Sequence, residues 1–171
     1  MRCAQKNAEP TMTMEQGKMG ISEFLRPECM ILNLSSATKR DVFNQLTGTL
    51  IGAGLLDKPG GDALVQRLED REKLSTTGVG EGVAIPHASL EGFNQTVVAI
   101  GVLPNGVDFA SVDNQPVKVV FMIIGSQSVP RLHIQLLAKI VRLCRNKELM
   151  GKLRSASTPQ DVVEILKTVD N

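Results

Sequence analysis

Hydrophobic and polar positions change period several times along this chain, and each change marks an element. Cys29-Met-Ile-Leu-Asn-Leu34 is an apolar run of strand length. Beyond it, Val42, Leu46 and Leu50 recur at helical spacing, with Phe43 on the adjoining stripe. Thr38-Lys-Arg-Asp41 reads as the capped start of that helix, and Gly52 and Gly54 end it. A second helix is expected over about 61–73, with Leu64, Val65 and Leu68 on one side. Ser75 to Gly82 has no helical period. Val83-Ala-Ile-Pro-His87 is expected to be extended, because a proline biases the residue before it toward β. Thr96 to Leu103 and Val117 to Ile124 are almost continuously apolar and read as inner strands covered on both faces. Pro104 to Ala110, between them, carries turn residues and a short edge strand. A third helix is expected over 128–145, apolar on most sides and therefore well buried. A short helix follows over Glu148 to Arg154. Thr158 and Pro159 then open the last helix, to about Lys167. Strands and helices mix without a strict βαβ repeat. The pattern predicts one α/β domain, with a mixed sheet flanked by helices.

Composition narrows the function. A chain of 171 residues suits one domain. Its 19 basic and 18 acidic residues leave a net charge of +1, which argues against an electrostatic grip on nucleic acid or anionic lipid. Five Phe, no Trp and no Tyr offer little for base stacking. The longest apolar run, Val119 to Ile124, falls far short of the roughly 18 residues a membrane helix needs, so no membrane insertion is expected. Residues 1–20 are polar, lack an apolar signal core and have no periodicity, with Met12, Met14 and Met19 as alternative starts. They are expected to be a disordered tail before a cytoplasmic domain at 21–171. Cys3, Cys29 and Cys144 are odd in number and widely spaced, so free thiols are expected. Two histidines alone make no zinc site, so no metal is expected.

Special residues concentrate at 71–89. Gly78, Gly80 and Gly82 let backbone N–H groups approach an anion. Thr76 and Thr77 add hydroxyls, Arg71 adds a cationic fork, and His87 follows the extended segment. Such a loop beside an imidazole suits a phosphoryl group. Taken alone, the glycines read as a plain tight turn, and His87 as a satisfied or merely exposed histidine. They are neither a P-loop nor a Rossmann fingerprint, since no Gly-Lys-Ser/Thr follows and they lead into a strand. His133 falls in the first turn of the third helix, where the dipole favours an anion. A core-facing histidine is the competing reading there, because 133, 137, 140 and 144 share a face.

The run Arg71-Glu-Lys-Leu-Ser-Thr-Thr-Gly-Val-Gly-Glu-Gly-Val-Ala-Ile-Pro-His87-Ala closely resembles the active-site signature of the fructose/mannitol-type enzyme IIA domains of the bacterial phosphotransferase system. That family includes the nitrogen-regulatory enzyme IIA proteins. Val107 to Val117 and His133-Ile-Gln-Leu-Leu extend the likeness, which runs from about residue 25 to 168. The resemblance implies a mixed five-stranded sheet with helices on both faces. It implies that His87 is phosphorylated, that His133 supports it, and that Arg71 and Thr77 line the phosphoryl site. It implies further that the group arrives from phosphohistidine on the carrier HPr, without metal, nucleotide or other cofactor. The chain is expected to be free-standing, without a fused IIB or membrane portion, which favours a regulatory target over sugar transport only modestly, since free-standing sugar-transport IIA proteins exist too. The alternative is a sugar-specific component passing phosphate to a IIB partner. A module of the same fold without phosphotransfer is disfavoured by the intact His87, His133, Arg71 and Thr77. Glu81 departs from the family, which often has a small polar residue there, and is expected to point outward. Val79 and Phe93 are candidate docking contacts, with ordinary packing the favoured reading for Phe93.

Overall fold

The computed structural model describes residues 19–170, so the expected tail at 1–20 lies outside it except for Met19 and Gly20. Strands β1 (Leu25–Ile31), β2 (Gly78–Gly80), β3 (Val83–Ala84), β4 (His87–Leu90), β5 (Val97–Val107) and β6 (Val117–Ser126) form one sheet. The order is β1-β5-β6-β3-β2, and β4 also pairs with β6. The sheet is mixed. β1 lies parallel to β5, while β5 and β6 are antiparallel. β3 and β4 both run parallel to β6, and β2 closes back antiparallel on β3. β3 and β4 meet β6 at successive positions, Val83 and Ala84 opposite Val119 and Val120, then His87 opposite Ile123. The two are one strand interrupted at Ile85-Pro86. Six strands therefore fill five lateral places, which reconciles the structure with the expected five-stranded sheet.

Helices cover both faces, and strict alternation along the central strands assigns each side chain to one of them. Val97, Ala99, Val120, Met122 and Ile124 pack under α1 (Lys39–Gly52) and α2 (Lys58–Leu74). Val98, Ile100, Val119, Phe121 and Ile123 pack under α3 (Pro130–Cys144), α4 (Lys147–Ser155) and α5 (Pro159–Lys167). Near-continuous apolarity in β5 and β6 thus means what it does in parallel sheets, burial on two sides.

Several boundaries differ from the sequence expectation. β1 begins four residues before Cys29, and β5 runs on through Pro104 to Val107, opposite Val117 of β6. No separate edge strand occupies 104–110. α2 starts at Lys58, capped by Asp57, whose side chain accepts from Gly60 N–H. α3 is amphipathic, with a narrower buried face than expected: His133, Leu136, Ile140, Leu143 and Cys144 are buried, while Ile134 is exposed.

The glycine run forms the tight turn that its sequence reading favours. Gly78 and Gly80 lie in β2, Glu81-Gly82 turns the chain into β3, and the Gly78 N–H donates to the Thr76 hydroxyl at 3.0 Å. Gly80, Glu81 and Gly82 all have positive φ. A Cβ on Gly78 would lie 2.3 Å from Ser111 Oγ, so close packing explains that glycine. Glu81 points outward, 3.9 Å from Lys147, as expected. Phe93 is buried in the core, and Val79 is exposed on β2.

Candidate active site

His87 opens β4, the one stretch of its lateral row that β2 does not cover. Helices from both faces of the sheet reach this uncovered edge. Arg71 arrives on the last turn of α2, and His133 on the first turn of α3. Arg67, Asp70, Arg71, His87, Ala88, Ser89 and His133 line one open cleft there. The structure therefore brings together three of the four residues the sequence singled out.

Two contacts fix the His87 ring. Nδ1 lies 2.8 Å from the carbonyl oxygen of Ile85, and Arg71 Nε lies 3.3 Å from Nε2. A carbonyl only accepts and a guanidinium only donates. Nδ1 therefore carries the proton, and Nε2 presents a lone pair to the cleft. Proline at 86 breaks the strand just where the Ile85 carbonyl turns to the imidazole. Arg71 is itself held by the Ser75 carbonyl at 3.0 Å and the Ser75 hydroxyl at 3.3 Å.

His133 lies beside His87, with ring centroids 5.4 Å apart and planes inclined by 58°. Its Nδ1 is buried and has no hydrogen-bond partner, and it abuts the backbone of Gly125. Both imidazoles are held below the ordinary histidine pKa. For His87 burial is the main cause, and the Arg71 charge adds to it; the Ile85 hydrogen bond and the Glu72 charge oppose. For His133 the causes are burial and then its neighbour His87. Both rings are neutral at neutral pH, the state in which Nε2 of His87 is a nucleophile.

Thr77 is placed differently. It is buried and absent from the cleft lining, and its hydroxyl donates to Glu72 Oε2 at 2.6 Å. Glu72, Arg67, Asp70 and Ser89 are site residues that sequence reasoning missed. Their only signal is proximity to Arg71 or His87, which many residues of the polar α2 surface and of β4 share. Cys144 is no competing nucleophile, since burial pushes its thiol up to about 12. The Cys29 thiol is likewise raised by burial.

Residues 23–169 match the family described as phosphoenolpyruvate-dependent sugar phosphotransferase system, EIIA 2. A nitrogen regulatory protein of Bradyrhizobium diazoefficiens is 32% identical over 86% of this chain and 95% of its own length. The fructose-specific EIIABC component of Bacillus subtilis is 32% identical over 89% of this chain, which spans only 24% of that longer protein. Among solved structures, IIA-Ntr of Neisseria meningitidis superposes with a TM-score of 0.78, at 27% identity, over 85% of this chain and 98% of the other. The mannitol IIA of Escherichia coli shares the fold, with a TM-score of 0.67 at 24% identity over 82% and 97%. With the sheet, the flanking helices and the histidine pair already in place, this breadth of match means that the chain belongs to the EIIA 2 family of the phosphotransferase system and is a phosphotransfer component.

Proposed function

We propose that the protein is a cytoplasmic phosphocarrier that takes a phosphoryl group from phosphohistidine HPr onto Nε2 of His87. The observation that carries this reading is the fixed tautomer: Nδ1 is committed to Ile85, so the lone pair of Nε2 alone faces the cleft. In the transfer, that lone pair forms the new N–P bond as the donor's N–P bond breaks, and the donor nitrogen recovers its electron pair. The phosphoryl group brings roughly two negative charges. Arg71 gives up its bond to Nε2 and pairs with the oxygens instead. His133 donates from its Nε2 edge. A proton on its buried Nδ1 would have no acceptor, so the neutral donor form is used. The protein shuttles one group between partners and is not a stand-alone turnover enzyme.

Exposed apolar side chains support docking to other proteins. Leu74 ends α2, three residues after Arg71, and is 82% exposed. Ile134, beside His133 on α3, is 66% exposed. The destination is read as a regulatory target of the nitrogen type, supported by relatives of that name that match nearly end to end. Delivery to a sugar-specific IIB partner is the second reading, supported by the fructose-specific EIIA component of Haloferax volcanii, 32% identical over 96% of its length.

The test is phosphorylation by phosphoenolpyruvate, enzyme I and HPr. An acid-labile, base-stable phosphate is expected on the wild type, and none on His87→Ala, which keeps its fold. Phosphate on that variant would assign the acceptor elsewhere. Rapid passage from the phosphorylated protein to a fructose- or mannitol-specific IIB would select the sugar reading over the regulatory one.

A further inference from the structure

We propose that Glu72 is the positioning residue of this site, tying the end of α2 through Thr77 to the strand that carries His87. The Glu72 side chain is only 8% exposed, and a carboxylate so placed needs partners. It has three. Oε1 accepts from the Thr77 backbone N–H at 3.0 Å and from Lys39 Nζ at 2.9 Å. Oε2 accepts from the Thr77 hydroxyl at 2.6 Å. Hydrogen bonds to an ionised acceptor are about twice as strong as neutral ones.

The contacts continue to the reacting ring. The Thr77 carbonyl accepts from Ile85 N–H at 3.0 Å, and the Ile85 carbonyl accepts from His87 Nδ1. Glu72 thus anchors the far end of a chain of bonds that selects the His87 tautomer. Arg71 precedes Glu72 directly. Seating Glu72 on Thr77 therefore fixes the same turn of α2 from which Arg71, held by Ser75, reaches His87. Lys39 contributes the opposing charge from α1 and lies 5.4 Å from the centre of the Phe109 ring. Glu72 does not line the cleft, and its pairing with Lys39 offsets part of its charge at the phosphoryl site. Thr77 accordingly acts through its neighbours rather than on the phosphoryl oxygens.

The assignment rests on His87 being the acceptor, and the test separates the two ideas. Glu72→Gln, Thr77→Val and Thr77→Ser are made in the full chain, and folding is checked by circular dichroism and thermal melting. Imidazole nitrogen NMR on the unphosphorylated protein reads the His87 tautomer without any transfer. Glu72→Gln and Thr77→Val are expected to admit the other tautomer. They should also slow uptake from phospho-HPr about tenfold, as lost preorganisation does, through the maximal rate rather than the donor concentration at half-saturation. Thr77→Ser should restore what Thr77→Val loses. The Glu72→Gln/Thr77→Val double variant should be no slower than the worse single one, because both cut the same linkage. A wild-type tautomer in a folded Glu72→Gln variant, or fully additive losses in the double variant, would overturn the proposal. If Glu72→Gln does not fold, the Thr77 pair decides by the same readings. Were His87→Ala still to accept phosphate, the acceptor reading would fall, while the NMR result would still judge Glu72.

Discussion

A Cβ on Gly125 would lie 2.8 Å from His133 Nδ1, closer than packed atoms tolerate. The φ of Gly125 is unexceptional, so this glycine is a matter of room for the imidazole. Gly125→Ala is expected to push the His133 ring off its seat, at about 1–3 kcal/mol of stability for the overpacking. Uptake of phosphate should slow, and the His133 ring resonances should move. Unmoved resonances would mean that β6 yields instead of the ring. The two histidines also set a pH dependence. Each has a folded pKa below its ordinary value, so as pH falls the unfolded chain takes up protons first. Their contribution is complete at neutral pH and is lost below the ordinary histidine range. Thermal melts between about pH 7 and pH 5 should show this slope, and His133→Gln should flatten it. An equally steep slope in that variant would place the titration in other groups.

At the scale of elements, legibility followed the range of the forces involved. The α1 and α5 starts were readable because Thr38 and Thr158 cap them through bonds to Asp41 N–H and Asp161 N–H, three residues away. The central strands were readable because burial on two faces leaves unbroken apolar runs. β1 was misplaced because Arg26-Pro27-Glu28 interrupts its apolar pattern. It lies at the sheet edge, beside β5 alone, where proline and charge are tolerated. The end of β5 was missed because Pro104-Asn-Gly106 looks like a turn, whereas pairing resumes at Val107 across an irregularity after Val102. The candidate site divides the same way. The interruption at Pro86 and the placement of His87 were local and legible. The role of Glu72 was not, because Arg-Glu-Lys reads as a solvated helix face until Lys39, 33 residues away, is seen to meet it. In sequence Thr77 is a hydroxyl near the histidine, and only the fold shows where that hydroxyl points.

Over the whole molecule, one carboxylate joins the two ends of the described chain. Asp170, just beyond α5, accepts from Ile21 N–H at 2.6 Å and from Ser22 N–H at 2.9 Å. Lys139 of α3 lies 3.0 Å from the same carboxylate and also donates to the Met19 carbonyl. The Asp170 side chain is 12% exposed, so solvent screens this cluster little. It closes the chain on itself across 149 residues and fastens both ends to the helix that carries His133. Burial works against the charge on Asp170, but the bonds from Ser22, Ile21 and Lys139 outweigh it and hold the carboxyl below its ordinary pKa. The sign follows: a depressed carboxylate pKa stabilises the fold at neutral pH, and that contribution is lost as pH falls through the folded value. Asp170→Asn keeps the shape and removes the charge. It is expected to cost about 1–3 kcal/mol at neutral pH, by leaving Lys139 without its partner and weakening two backbone bonds. For a chain of this size that is a fall in Tm of about 3–10 °C. The gap between variant and wild type should narrow as the melts are repeated in acid, where the wild-type carboxyl takes up its own proton. A constant gap across that range would assign the loss to shape rather than charge. No change at neutral pH would mean that the ends of the fold are held by packing alone, with Ile21 and Leu25 beside Val162 and Leu166 in the core on that face of the sheet.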